Sequence, residues 1–187
     1  MRWERLFADM EAQLAAASLQ ALEEDVAEQA RAEYSRVRLA DRLRVRHGEP
    51  VRALLAGSLP VEGRVRALGA GWVVLEERGT EHLVPLDAVL WWESLGRGWE
   101  SAGDAVTVRL GLAHALRALS RARARVRVRV LGGGPLGELE GTLDGVGADF
   151  ADLALHPGDD YRRRGSVTAR RTVPFPALVC VSSLTAG

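Results

Sequence analysis

The sequence predicts a mainly β protein with helices (α+β): a long N-terminal helix followed by two tandem five-stranded barrels, each led by a short helix. Three observations predict this. The first is an internal repeat. Glu62-Gly63-x-Val65-x-x-Leu68-Gly69-Ala70-x-Trp72-x-x-Leu75 recurs 78 positions later as Glu140-Gly141-x-Leu143-x-x-Val146-Gly147-Ala148-x-Phe150-x-x-Leu153. Val84-Pro85-Leu86-x-Ala88-Val89 recurs 89 positions later as Val173-Pro174-Phe175-x-Ala177-Leu178, so the second copy carries an 11-residue insertion between Leu153 and Val173. A repeat of this kind sets an architecture before any single residue is interpreted. The second observation is that neither Gly nor Pro occurs before Gly48, in a stretch of good helix formers. The third is that each copy alternates short apolar runs with turn residues at close spacing, which is the pattern of a small barrel.

Residues 2 to about 46 read as helix. Trp3, Phe7, Met10, Leu14 and Ala17 fall on one stripe by their 4-3-4-3 spacing, and Leu22, Val26 and Ala30 continue it after a phase shift. A break near Ser35 leaves a long helix over 1–35 and a short one over 36–46. Gly48 and Pro50 stop it. Strands follow at 51–55, 61–67, 72–76, 80–84 and 88–92, divided by Gly57-Ser58-Leu59-Pro60, Gly69-Ala70-Gly71, Glu77-Arg78-Gly79 and the Val84-Pro85-Leu86 kink. These make a first barrel with its leading helix over 36–95. Gly96, Gly98 and Gly103 mark a linker over 96–107. The second unit, 108–187, opens on a helix from Leu110 to Arg121, with Leu112, Leu116 and Leu119 spaced for one face. Strands near 125–131, 138–145, 149–155, 167–173 and 177–182 complete it, with the insertion as a loop over 156–166.

The helix-plus-five-strand unit resembles the Sm-like barrel family. Val126-x-Val128-x-Val130, a glycine turn, then Gly141-x-Leu143-x-x-Val146 and Phe150 look like that family's first motif. The resemblance covers residues 36–92 and 108–184 and implies two Sm-like barrels. It does not carry the family's RNA site with it. RNA-binding members have an Asp and an Asn in the first motif and a basic pair in the second. Here those places hold Gly69 and Gly147, Val73 and Ala151, and the sequences Val84-Pro85-Leu86 and Val173-Pro174-Phe175. Fold likeness by itself does not settle function. The arrangement also resembles uncharacterised actinobacterial proteins, some of them labelled Fis-type transcriptional regulators; the helix-turn-helix ending that such a label needs is missing from this sequence.

Composition narrows the classes further. The 187 residues are 47% hydrophobic with a formal net charge of zero, ordinary values for a globular chain. No stretch approaches the roughly 18 apolar residues that span a bilayer, so no membrane partner is expected. The start, Met1 to Asp9, lacks the apolar core of a signal peptide. Cys180 is the single cysteine, so no internal disulfide can form. A cytoplasmic protein is the expectation. All 25 basic residues are Arg, and Lys, Ile and Asn are absent. Those three share AT-rich codons, so the Arg content reflects a GC-rich genome and is not in itself a nucleic-acid signal. Charge is nonetheless segregated. Residues 1–30 hold seven acids and two Arg, 31–52 hold seven Arg and three acids, 105–130 hold seven Arg and no acid, and 131–160 hold seven acids and no Arg. Blocks that alternate in this way read as neighbours that neutralise one another.

Four features are candidate sites. Arg125, Arg127 and Arg129 share a strand face. They read either as a phosphate track or as an outer face neutralised by Glu138, Glu140 and Asp144 on the next strand. The inserted loop carries Tyr161, Arg162, Arg163 and Arg164, three consecutive cations beside a ring that can stack on a base; the bland reading is a solvated hairpin tip. Trp91 and Trp92 are adjacent and so point to opposite faces. A strand apolar on both faces needs cover beyond its own barrel, which places these two residues, and the matching strand 177–182, at a junction. Trp3, Phe7, Met10 and Leu14 form the stripe of the first helix, whose acidic start and basic end suit an antiparallel copy.

Catalytic chemistry finds no support. His47, His82, His114 and His156 lack metal-ligand spacing, Cys180 sits in an apolar run, and the glycine clusters lack the Lys of a phosphate loop. No catalytic residue, metal or cofactor is expected. The reading is a non-enzymatic assembly or adaptor protein that binds protein through its helix and barrel edges and self-associates as a homodimer through the N-terminal helix. The alternative is a nucleic-acid-binding regulatory protein, for RNA more than DNA, using the Arg-rich loop and strand.

Overall fold

The computed structural model of the chain describes residues 2–93, 95–101, 109–156 and 168–184. The side chains of residues 2–6, 8, 9, 12, 15–17, 21 and 135 lie outside that description. The chain divides into two compact units, Met1–Arg38 and Leu39–Gly187.

The first unit is helix α1, Arg2–Tyr34. Its last turn is closed by backbone and side chain together. Ser35 donates its N–H to the Arg31 carbonyl at 3.0 Å and its hydroxyl to the Ala32 carbonyl at 2.7 Å. Both bonds satisfy carbonyls that the end of a helix leaves open. Among the described residues no helix is long and apolar enough to cross a membrane.

The second unit begins with α2, Leu39–Arg44, which anchors Leu43 in a core. Five strands follow: β1 Pro50–Leu55, β2 Leu59–Gly69, β3 Trp72–Glu77, β4 Thr80–Pro85 and β5 Val89–Glu93. Helix α3, Leu112–Arg121, leads the next five: β6 Arg125–Val130, β7 Glu138–Val146, β8 Phe150–Leu155, β9 Ala169–Pro174 and β10 Leu178–Ser183. Alternation decides their faces. In β1 and β2 the residues Val51, Ala53, Leu55, Val61 and Val65 are buried while their neighbours Arg52, Glu62 and Arg64 are exposed, as a period of two requires.

The repeated residues are those that shape the backbone. β2 is bulged between Val65 and Ala67, and β7 between the equivalent Leu143 and Gly145. A Cβ on Gly63 would stand 2.9 Å from the Glu76 carbonyl oxygen, and one on Gly141 would overlap the equivalent Ala154 carbonyl. Gly69 lies under the indole of Trp72 and Gly147 under the ring of Phe150. After each Val-Pro the chain makes a 3-10 turn, Leu86–Ala88 and Phe175–Ala177. Leu86 donates to the Gly71 carbonyl at 2.9 Å, and Phe175 to the equivalent Asp149 carbonyl at 2.7 Å.

The strands do not close into two barrels, and the expected pair of Sm-like barrels is corrected. All ten form one open antiparallel sheet in the order β5-β1-β2-β3-β4-β10-β6-β7-β8-β9. Each repeat contributes five neighbouring strands in the same order. No ladder joins β5 to β4 or β10 to β9 among the described residues. The physical reason lies at the last strand of each repeat, which leaves the turn after Pro85 or Pro174 to pair with the first strand and, among the described residues, does not meet the fourth strand of its own repeat on its other edge. β5 therefore pairs with β1 and β10 with β6. The far edge of β10 is taken by β4 of the other repeat, so what would have been a closing edge becomes a seam.

Two cores lie on this sheet. The first gathers Leu43, Val51, Leu55, Val65, Val73, Leu75 and Val84, and the second Leu116, Val126, Val128, Leu143, Leu153 and Val173. They interlock across the seam. Val179 and Cys180 of β10 enter the first core, while Trp72 and Leu83 of the first repeat enter the second.

Candidate functional site

The seam shows how this chain joins sheet edges. β10 and β4 run antiparallel with Val181 opposite Leu83 and Ser182 opposite His82. The His82 Nδ1 lies 2.8 Å from the Ser182 hydroxyl, and Glu81 donates its backbone N–H to the Ser183 hydroxyl at 3.0 Å. Burial pushes His82 below the ordinary imidazole range, opposed by the nearby Glu77 carboxylate. Cys180 is 3% exposed, and burial pushes its thiol up to about 11. A thiol so placed stays protonated and acts as a small apolar side chain.

Two edges of the sheet remain unpaired among the described residues, one on β5 and one on β9. β5 carries both candidate tryptophans. Trp92 packs against the first core, while Trp91 is 47% exposed and Leu90 61% exposed. The structure thus puts β10 at a junction and β5, with Trp91 and Trp92, on an outer edge. β9 presents Arg170, Arg171 and Thr172 to solvent. Thr172 donates its hydroxyl to Asp152 at 2.6 Å, and Asp144 lies 3.6 Å from Arg170. Glu93, at the end of β5, lies 3.2 Å from Arg52, which also holds Glu62 at 2.9 Å.

The Arg row lies on β6 opposite β7, with Arg127 facing Glu140 and Arg129 facing Glu138. Arg125 reaches Glu140 at 3.2 Å, Arg127 reaches Glu138 at 3.1 Å and Glu140 at 2.5 Å, and Arg129 pairs with Glu138. The hydrogen bond from Arg127 holds the Glu140 carboxyl below the usual carboxylate range, against a smaller upward push from burial. Every member of the row therefore faces a carboxylate. The structure brings these three Arg together with Glu138 and Glu140 and leaves no unopposed cationic track on β6. Tyr161, Arg162, Arg163 and Arg164 lie outside the described residues.

On α1, Phe7, Met10 and Leu14 are 59%, 51% and 66% exposed. Trp3 belongs to the same helix, its side chain being outside the description. Among the described residues no group of three His, Cys, Asp or Glu is placed to hold a metal ion. An apolar cavity of about 340 Å³ opens beside the seam, between α3 and the β3–β4–β10 part of the sheet, lined by Trp72, Leu83, Ala115, Leu119 and Val181. Its rim is tied by Trp72, whose Nε1 donates to the Leu110 carbonyl at 2.8 Å.

The seam residues His82, Ser182 and Ser183 and the edge residues Glu93 and Arg171 escape the sequence reading. The signal that reaches them is the 89-residue offset, which makes β9 the counterpart of β4 and β10 the counterpart of β5. Comparison of the chain with known protein families, curated proteins and solved structures finds no match.

Proposed function

We propose that this protein is a non-enzymatic assembly or adaptor protein that binds protein through α1 and through the edges of its sheet. The observation that carries the reading is the seam, where one repeat joins the other by adding strand to strand and exchanging core residues. Addition of a strand to an exposed edge is a general mode of protein recognition, and two edges of this sheet are unpaired among the described residues. α1 adds a second surface. Its exposed Phe7, Met10 and Leu14 form an apolar stripe, and its acidic start and the basic residues after it are complementary in an antiparallel pair of helices. That arrangement is a homodimer through the N-terminal helix. A single thiol and no disulfide to form are in keeping with a cytoplasmic location.

The test is the mass of the full-length chain in solution across the micromolar range, beside a Phe7→Glu, Met10→Glu, Leu14→Glu variant. The expected result is a wild type heavier than a monomer and a variant reduced in mass. A wild type that stays monomeric throughout overturns the reading.

A further inference from the structure

We propose that the apolar cavity beside the seam binds a small molecule with an apolar body and a cationic amine, held between the two repeats. The site lies beyond the assembly reading and does not depend on it.

The cavity belongs to both repeats. Trp72, Val74 and Leu83 line it from the first repeat, and Ala115, Ala118 and Val181 from the second. Leu83 and Val181 are 4% and 2% exposed and stand opposite each other in the seam ladder. The Trp72 ring is fixed, because its Nε1 is bonded to the Leu110 carbonyl. Ala115 and Ala118, one helical turn apart on α3, leave room that longer side chains would close. The volume of about 340 Å³ lies at the lower end of the range for small-molecule sites. At about 30 Å³ per water-sized group it accommodates roughly eleven of them.

The repeat shows that the sheet does not need this apolar wall. At the repeat offsets of 78 and 89 residues, Val74 corresponds to Asp152, Leu83 to Thr172 and Glu81 to Arg170. There the surface is polar, with Thr172 donating its hydroxyl to Asp152 at 2.6 Å. Trp72 is 8% exposed and its counterpart Phe150 37%. The apolar lining occurs in the repeat over which α3 stands.

Charge selects the head group. Among the described residues the polar liners are Glu81, His114 and Ser183, and no Arg is one of them. Elsewhere on the sheet Glu62, Glu76, Glu93, Glu138 and Glu140 each hold an Arg. Glu81 is exposed, and among the described residues no ion pair engages its carboxylate. Its backbone N–H is bonded to the Ser183 hydroxyl at 3.0 Å, which holds this part of β4 against β10. A carboxylate at the mouth of an apolar cavity attracts a cation and repels an anion, and an indole wall adds to the attraction. An apolar amine meets both requirements. Because its contacts span β4 and β10, it would stabilise the folded protein.

The experiment titrates the full-length protein by calorimetry and by thermal midpoint, with far-UV circular dichroism to confirm folding. The probes are phenylbutylamine, phenylbutanol and phenylbutyrate, which share one apolar body and differ in head-group charge. The amine should bind in the millimolar range or tighter and raise the midpoint, the alcohol should bind several-fold more weakly, and the acid should not bind. E81Q keeps the cavity and should reduce the amine to the affinity of the alcohol, as added salt should in the wild type. A118L places a longer side chain in the cavity from a helix that accepts Leu, and should abolish binding of both. A wild type that binds none of the probes, or a folded A118L that binds the amine as the wild type does, overturns the site. Equal binding of amine and alcohol with no change in E81Q, or tightest binding of the acid, overturns the amine. If A118L does not fold, the E81Q comparison decides. These measurements read binding and not mass. Their failure leaves assembly through α1 standing, and a monomeric wild type that binds the amine leaves this site standing.

Discussion

The His82 imidazole and the Ser182 hydroxyl meet 2.8 Å apart across the ladder that joins the two repeats. Burial holds the imidazole pKa below its ordinary value, so in the window beneath about pH 6.5 the unfolded chain takes up a proton that the folded chain refuses. Stability contributed by neutral His82 is whole above that value and is lost as pH falls through the window. Thermal midpoints measured from pH 7.5 to 5 should decline for the wild type and decline less for His82→Gln. Equal slopes for the two proteins would show that His82 does not govern the seam.

Cys180 turns the seam into something that can be timed. With its thiol pushed up to about 11, only on the order of one molecule in a thousand carries thiolate at pH 8, and burial shields that one. Iodoacetamide should leave the native protein unlabelled over hours at pH 8 and label it fully in denaturant. Ser182→Ala combined with His82→Ala removes the hydroxyl that lies 3.7 Å from the Cys180 sulfur on the same strand, together with the imidazole that meets it across the ladder, and labelling of that variant should be several-fold faster. An unchanged rate would mean that the thiol is guarded by the cores alone.

Gly69 and Gly147 are equivalent in sequence and should differ in tolerance. Both lie beneath an aromatic ring, which a Cβ would overlap. Trp72 is 8% exposed and tied to the Leu110 carbonyl, so it cannot yield. Phe150 is 37% exposed and can swing outward. Gly69→Ala should cost about 1–3 kcal/mol, the usual range for overpacking, and Gly147→Ala distinctly less. Urea unfolding of the two variants beside the wild type decides it; a Gly147→Ala loss equal to or above that of Gly69→Ala contradicts the argument.

Much of the local structure is legible in the sequence. The strands begin and end within about two residues of where the turn residues and the alternation place them, because hairpin pairing is decided by neighbours along the chain. The bulges and close approaches at Gly63, Gly141, Gly69 and Gly147 explain why those glycines repeat. The pairing of edges is another matter. Every strand edge offers the same row of N–H and C=O groups whatever its side chains, so nothing in the order of residues says that β10 meets β4 and not β9. The candidate sites divide along the same line. Arg125, Arg127 and Arg129 read equally as a phosphate track or a neutralised face until the β6–β7 register sets Glu138 and Glu140 against them. Trp91 and Trp92, apolar on both faces, read as covered on both; Trp92 is packed on the first core, while Trp91 faces outward.

What the sequence determined by itself is the unit: a helix, five short strands with bulges and turns at set places, and the same plan written twice. These follow from alternation, turn chemistry and glycine sterics, all of which act over a few residues. What only the tertiary structure decided is how the units are joined: one open ten-stranded sheet in place of two barrels, a seam at His82 and Ser182, and an apolar edge left bare at Leu90 and Trp91. Those choices rest on backbone hydrogen bonds between residues about a hundred positions apart, and such bonds leave no pattern along the chain.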